Sequence, residues 1–203
     1  MELKNDCAVV ILSGGVSRRM GMPKAFLAWD NTVSFLGRIV TTYREFGCND
    51  IVVVLNESLR ERYNGLEFYG KGNVRAVFNP HPEYERFYSV WMGLDKTREA
   101  SFCFLQDVDN PFIDTEILET IYRRRMYDGY VIPVCNGKGG HPVLLSRKVQ
   151  NRLLGISAES GNLHNALACE KHLRIETSRP EVVVTMNTPE DYRKVFGRDP
   201  GNC

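Results

Sequence analysis

The residues best suited to chemistry follow the first apolar run of the sequence, in the stretch "VVILSGGVSRRMGMPKAFLAWD". Gly14 and Gly15 can adopt positive φ angles and let a phosphate group approach the backbone closely, with their amides directed at the anion. Arg19 and Lys24 add positive charge, the arginine as a planar fork and the lysine as a point charge. These residue types at this spacing predict a segment that binds the phosphate groups of a ligand.

Two well-known phosphate motifs do not describe this segment. Gly15 and Gly21 stand too far apart for GxxxxGK[ST], and Lys24 does not directly follow the second glycine. The pattern GxGxxG does not match either. The alternative without a function is a tight surface turn whose cations are solvated.

A second group of polar residues ends a later apolar run, "FLQDVDNPFI". Asp107 and Asp109 are carboxylates close to each other, and a divalent cation would relieve their mutual repulsion. Mg²⁺ prefers one or two carboxylates together with phosphate oxygens. The segment is therefore a candidate magnesium site, and the alternative is a solvated acidic turn before Pro111.

Strands and helices must position both segments, and the hydrophobic pattern predicts that they alternate. The predicted strands cover 8–12, 51–55, 74–78, 102–106, 130–133, 142–145 and 182–185. The predicted helices cover 33–46, 57–63, 88–96, 115–127, 147–153, 163–170 and 189–196. Helix N-caps are predicted at Thr32, Asp114 and Thr188.

This alternation indicates an α/β fold with a three-layer, mostly parallel, Rossmann-like sheet. Residues from about 129 to 175 are less regular and richer in glycine, and they predict a small β-rich insertion at one edge of the sheet. Ligands of open α/β sheets bind at the carboxyl ends of strands, where both polar segments are expected.

The composition limits the classes of protein to consider. With 203 residues, of which 43% are hydrophobic, the chain is expected to form a single domain over 1–203. The net charge of +1 gives no reason to expect a nucleic-acid partner, and no apolar run approaches the roughly 20 residues that cross a bilayer. The N-terminus lacks the layout of a signal peptide, so we expect a cytoplasmic location. The six cysteines form no CxxC pair, and those in apolar runs are expected to be buried.

The string "LSGGVSRRMGMPKAFL" resembles the signature L-[AS]-[GA]-G-x-S-x-R-M-G-x-x-K of the MobA/MocA-like nucleotidyltransferases. These proteins have a GT-A-like fold and attach GMP or CMP to molybdopterin. Four later segments resemble further motifs of this fold, in the same order: "RFYSVWMGL", "FLQDVDNPFI", "GKGGHPVLL" and "VVVTMNTPEDY". The resemblance covers about residues 8–192.

The resemblance implies how a nucleotide binds. The base is expected over the first loop, near Leu12, Ser13 and Ser89. The further residues implied in nucleotide binding are Gly14, Gly15, Ser17 and Lys24. Arg19 and Lys24 are the implied catalytic cations. Ser89 is expected on a loop that enters a helix, and the alternative is that it only caps that helix.

The resemblance also implies a Mg²⁺ site. In the MobA-like pattern D-x-P-[FL] the metal ligand is Asp109, whereas in the D-A-A-R-P pattern of the methylerythritol phosphate cytidylyltransferases it is Asp107. Asp109 lies two residues before Pro111, the spacing of the first pattern, so we favour it as the direct ligand. Asp107 is then a more distant acid or a ligand through water. Asn187 falls where family members supply the second metal-site side chain.

The segment "GKGGHPVLL" resembles G-x-x-G-H-P-V-L of the MocA-like branch. This implies that Gly140 and His141 lie beside the acceptor substrate. The alternative is that His141 only shapes a turn.

The implied reaction is nucleotidyl transfer. An acceptor oxygen attacks the α-phosphate of a nucleoside triphosphate, Mg²⁺ assists, and pyrophosphate leaves. "LSGG" resembles the GTP-using branch and "GHPV" the CTP-using one, so the base stays open. The partners are a nucleoside triphosphate and a small phosphorylated acceptor, which is molybdopterin, a sugar or polyol phosphate, or a phosphonate. The alternative of a different class is a catalytically silent nucleotide-binding regulatory protein on the same fold.

Overall fold

The computed structural model describes residues 3–15, 17–63 and 74–201. Their strands form one sheet in the order β3-β2-β1-β4-β7-β5-β6, and β8 pairs with β5. The strands are β1 (Cys7–Ser13), β2 (Asp50–Asn56), β3 (Val74–Asn79), β4 (Phe102–Asp107), β5 (Gly129–Cys135), β6 (Lys138–Gly139), β7 (Val143–Ser146) and β8 (Lys171–Glu176). Strands β1 to β4 run parallel, β7 is antiparallel to both β4 and β5, and β8 is parallel to β5. The predicted mostly parallel α/β sheet is confirmed.

Helices cover both faces of this sheet. Val9 and Ile11 of β1 join the core on one face, while Ala8 and Val10 join the core on the other, because successive strand residues point to opposite faces. The helices are α1 (Phe35–Phe46), α2 (Arg60–Tyr63), α3 (Glu85–Asp95), α4 (Thr115–Arg123), α5 (Arg147–Leu154), α6 (Leu163–Ala168) and α7 (Pro189–Phe196). Helices α1, α4 and α7 pack on the first face, and α3, α5 and α6 on the second. The three predicted layers are therefore present.

The order of the parallel strands determines where a ligand can bind. Strand β1 has β2 on one side and β4 on the other, so the strand order reverses at β1. The carboxyl ends of β1 and β4 are adjacent, with Leu12 opposite Asp107. A crevice outside the carboxyl ends at such a reversal is the usual ligand site of open α/β sheets.

The predicted N-cap of α1 is wrong. Helix α1 is capped by Ser34, which accepts a hydrogen bond from Gly37 N, and not by Thr32. The reason is a turn closed by Asp30, whose carboxylate accepts hydrogen bonds from Thr32 N and Val33 N. The caps at Asp114 and Thr188 are confirmed.

The predicted strand 182–185 is not a strand. The segment contains a 3₁₀ turn, Pro180–Val183, and its carbonyls bind the side chain of Asn110 rather than a neighbouring strand. Conversely, β8 was not predicted, because its half-exposed sequence "KHLRIE" has few apolar residues. The region expected to be a small β-rich insertion forms β5 to β8, and these strands extend the main sheet.

In the described ranges, every helix is too short or too polar to cross a bilayer. The cytoplasmic location stays a prediction.

Candidate active site

A cavity of about 330 Å³ opens at the carboxyl ends of β1 and β4. All the residues predicted to bind the nucleotide line it: Leu12, Ser13, Gly14, Gly15, Ser17, Lys24 and Ser89. Both predicted metal-site acids, Asp107 and Asp109, line it as well. The fold thus brings together segments that are far apart in the sequence.

The first loop turns at other residues than the sequence predicts. Positive φ angles occur at Ser17 (48°) and Gly21 (77°), and not at Gly14 or Gly15. A Cβ atom on Gly14 would lie 2.7 Å from Ser89 Oγ, so this glycine allows the loop to approach α3 closely. A Cβ atom on Gly15 would meet nothing within 4 Å, so Gly15 borders open space. The two glycines therefore provide room rather than left-handed backbone.

Ser89 lies in the second turn of α3, so the prediction that it caps the helix or precedes it on a loop is wrong. It is 5% exposed, and its Oγ accepts a hydrogen bond of 3.0 Å from Asn79 Nδ2. Gly93 lies one turn further along the same face, where a Cβ atom would be 2.3 Å from Val10 Cγ1. Helix α3 thus packs directly on β1, and this contact holds Ser89 against the first loop.

Lys24 connects the two side chains that are predicted to bind metal. Its Nζ lies 2.9 Å from Asp109 Oδ2 and donates to Asn187 Oδ1 at 2.7 Å. Arg19 Nη2 donates to the same Asn187 oxygen at 3.3 Å. The predicted catalytic cations therefore form one cluster with Asp109 and Asn187, in which an ammonium group lies between an acid and an amide oxygen.

Asp107 has different partners. Arg86 Nη1 and His141 Nε2 each lie 3.0 Å from Asp107 Oδ2. Burial by itself raises the pKa of this carboxyl, but His141, Arg86 and Lys24 outweigh burial and hold the pKa below its usual value. The acid therefore stays ionised and forms a second polar cluster beside that of Lys24.

A buried asparagine attaches the C-terminal part of the site to β4. Asn110 is fully buried, and its Nδ2 donates to Glu181 O at 2.9 Å and to Val184 O at 2.6 Å. Close by, Met186 N donates to Asp109 O at 2.8 Å. These hydrogen bonds hold the segment before α7 against the carboxyl end of β4.

The start of α7 then orients Asn187. Thr188 and Asp191 form a capping box, and Asp191 Oδ2 accepts hydrogen bonds from the backbone N–H groups of Asn187 and Thr188. Asn187 Nδ2 donates to Thr185 Oγ1 at 2.9 Å, which turns its Oδ1 towards Lys24. The amide oxygen is thereby directed into the cluster.

The two predicted acceptor-binding residues have different surroundings. A Cβ atom on Gly140 would lie 2.3 Å from Val182 O, and Gly140 N donates to Pro133 O, so this glycine allows close backbone packing. The His141 side chain is 19% exposed and contacts Asp107. A role of either residue in acceptor binding stays a prediction.

Sequence reasoning missed three residues that organise the site. Arg86 begins the segment "RFYSVWMGL", whose resemblance implies a role only for Ser89. The sequence signal that could have revealed the other two is their position, because Gln106 is a polar residue that follows the apolar run of β4 and Asn110 lies between Asp109 and Pro111. Gln106 Nε2 donates to the carbonyls of Asp107 and Asn110, each at 2.9 Å, and so shapes the turn that ends β4.

Comparisons with known proteins identify the family of this chain. Residues 9–175 match the family described as the MobA-like NTP transferase domain. The chain is 27% identical over 190 residues to the molybdenum cofactor cytidylyltransferase of Escherichia coli K12, covering 92% of this chain and 93% of that protein. It is 42% identical over 208 residues to a Bacillus cytotoxicus protein named "Probable molybdenum cofactor guanylyltransferase", covering 93% and 96%.

A solved structure shows the same fold. A nucleotidyl transferase from Methanothermobacter superposes with a TM-score of 0.77 at 20% identity, covering 94% of this chain and 96% of that one. Since the family match extends over most of the chain, the protein belongs to the MobA-like NTP transferase domain family and is a nucleotidyltransferase.

Proposed function

We propose that this protein transfers a nucleoside monophosphate from CTP or GTP to a small phosphorylated acceptor, in a reaction that depends on Mg²⁺ and releases pyrophosphate. The observation that carries the proposal is the cluster of Arg19, Lys24, Asp109 and Asn187 at the edge of the cavity that opens at the carboxyl ends of β1 and β4. Molybdopterin is the first acceptor to test, because the curated relatives are named for the molybdenum cofactor.

The chemistry demands charge stabilisation more than proton transfer. Nucleotidyl transfer spreads negative charge over the oxygens of the α-phosphate, so preorganised cations stabilise its transition state. Lys24 lines the cavity, and Arg19 lies beside it in a neighbouring cleft of about 520 Å³. An acceptor phosphate is already ionised at neutral pH, so the proposal needs no side-chain base.

The donor set fits a Mg²⁺ ion that completes its coordination with phosphate oxygens. Within the described ranges, no three His, Cys, Asp or Glu side chains gather in a way that could hold a metal by themselves. Asp109 Oδ1 is buried without a hydrogen-bond partner among the described residues, and the ammonium of Lys24 marks a position where positive charge is favourable. Asp109 and Asn187 would hold the ion, which when bound neutralises phosphate oxygens.

The partners of the two acids support Asp109 as the direct ligand. Asp107 is already engaged by Arg86 and His141 on its Oδ2. Asp109 shares Lys24 with Asn187, the other proposed ligand. This arrangement favours the choice that the D-x-P spacing suggests.

The test is pyrophosphate release from each of CTP, GTP, ATP and UTP with Mg²⁺, across molybdopterin, sugar phosphates, polyol phosphates and phosphonates. We expect release with CTP or GTP and one acceptor class only. Nucleotide binding without release for any acceptor would instead identify a silent nucleotide-binding protein. Omitting the acceptor is the control for simple hydrolysis.

A further inference from the structure

A second cavity, of about 320 Å³, lies directly beside the first. Glu85 and Arg86, at the start of α3, line both cavities. The floor of the second cavity is formed by buried apolar side chains, Phe87, Leu105 and Val143. The two cavities therefore share a border but differ in character, since the first ends in charged groups and the second has an apolar floor.

The wall opposite α3 comes from α6 and the residues before it. It is formed by Gly161, Asn162, Leu163, His164 and Leu167. A Cβ atom on Gly161 would lie 2.1 Å from the ring of Phe87, so only glycine lets this segment lie directly on the aromatic floor. The cavity is thus a formed feature with a tightly packed base, and its polar groups are at the rim.

Arg86 is the cation at the border of the two cavities. Its Nη1 contacts Asp107 Oδ2 at 3.0 Å, and the side chain is still 45% exposed. A guanidinium has five N–H donors in a fixed fork. The contact with one oxygen of Asp107 uses only part of them, so other donors are available for an anion. Asp107 is also held by His141, so its position is determined from two sides.

We infer that the second cavity is the acceptor subsite, and that Arg86 binds the acceptor's phosphate at the border, facing the nucleotide. This inference rests on the proposed function. An oxygen of the acceptor phosphate forms the bond to the α-phosphorus, the bond from that phosphorus to the bridging oxygen breaks, and pyrophosphate leaves with the electron pair. Arg86 binds the attacking group, whereas Asp107 and His141 are positioning residues that act through Arg86.

The floor sets the class of acceptor. Hydroxyl groups placed against Phe87, Leu105 and Val143 would lose their hydrogen bonds to water without replacement, and this loss costs free energy. An apolar or aromatic body gains by the same burial. The subsite therefore selects phosphate esters whose body presents such a face, and it disfavours sugar and polyol phosphates.

Kinetics of Arg86→Gln test the inference. We expect the acceptor KM to rise about tenfold or more, the nucleotide KM to change by less than about twofold, and Arg86→Lys to recover part of the loss. Arg98→Gln is the matched control, because Arg98 is also exposed and paired with an aspartate, Asp95, but lies outside both cavities. An unchanged acceptor KM in a folded Arg86→Gln protein that still turns over would overturn the subsite and leave the proposed function standing.

A direct binding measurement separates the two proposals. With the first cavity filled by a non-hydrolysable analogue of CTP or GTP, phenyl phosphate and glycerol 3-phosphate are titrated calorimetrically. We expect phenyl phosphate to bind more tightly, and Arg86→Gln or Leu167→Gln to weaken it about tenfold. Equal binding of both probes, or no effect of either substitution, would sink the subsite. If phenyl phosphate binds as we expect but the protein releases no pyrophosphate, the subsite is supported and the proposed function is wrong.

Discussion

Lys24 is the residue on which the charge balance of the candidate site depends most. Its ammonium neutralises Asp109 and binds Asn187, and the side chain also lines the proposed phosphate site. We predict that Lys24→Ala lowers kcat by about 10²–10³-fold, since a charge contact made mainly in the transition state contributes roughly 3 kcal/mol. Pyrophosphate release measures the rate, and circular dichroism checks the fold. A folded variant with full activity would exclude this role.

The two acids should differ in what their removal changes. We predict that Asp109→Asn removes most Mg²⁺-dependent activity, because Asp109 Oδ1 is buried and has no hydrogen-bond partner in the part of the chain that the structure describes. Asp107→Asn should cost less and should act mainly on the acceptor KM, because Asp107 holds Arg86 and His141. Rates measured against Mg²⁺ concentration for both variants test this prediction. If Asp107→Asn is more damaging to the Mg²⁺ dependence, the metal assignment is wrong.

At the scale of elements, an ion pair ties α4 to the segment that leads to Asn187. Asp114 caps α4, accepting from Ile117 N at 2.9 Å, and pairs with Arg179. Burial alone would raise the pKa of Asp114, but the Ile117 amide and Arg179 outweigh burial and lower it. A lowered folded-state pKa means that the pair stabilises the fold above the ordinary Asp pKa and loses this effect as the pH falls through the folded value.

We therefore predict that Asp114→Asn, which keeps a capping side chain, lowers the free energy of unfolding by about 0.5–1 kcal/mol at pH 7. Both side chains are about one third exposed, at 31% and 35%, so solvent screens the pair and the effect stays small. Urea unfolding of both proteins from pH 7 down to about pH 2 should show the difference shrinking on the acid side. A difference that does not depend on pH would mean that the pair contributes nothing.

For the whole molecule, the candidate site joins four separate parts of the chain. The first loop, α3, the end of β4 and the segment before α7 all contribute to it. A ligand that contacts all four should stabilise the folded state, by about 2.7 kcal/mol at 100 times its Kd. For a chain of this length that corresponds to a rise in Tm of about 5–10 °C.

We predict this rise for CTP or GTP with Mg²⁺, measured by thermal unfolding. Removing Mg²⁺ with a chelator should abolish most of it, and Lys24→Ala should reduce it. The Arg98→Gln control should keep the full shift. A shift that is the same with and without chelator would contradict the proposed metal dependence.

The sequence by itself determined the features that depend on residues close to each other along the chain. The alternating apolar runs predict the parallel sheet and its helices, since side-chain burial repeats with the period of each element. The start of α7 follows from Thr188 and Pro189, because a cap and the first helical turn are set by adjacent residues. The first loop and the acids ending β4 could be placed at strand ends for the same reason.

Only the tertiary structure decided which partners the charged groups choose. Lys24 meets Asp109 and Asn187 across 85 and 163 residues of sequence, and Asp107 binds Arg86 and His141 instead. The 182–185 segment likewise bonds to the side chain of Asn110 and does not form the strand that its apolar pattern predicts. The sequence offers several oppositely charged or polar partners for each of these side chains. The packing of the sheet determines which of them pair, because only packing brings two side chains that are distant in sequence within a few ångströms of each other.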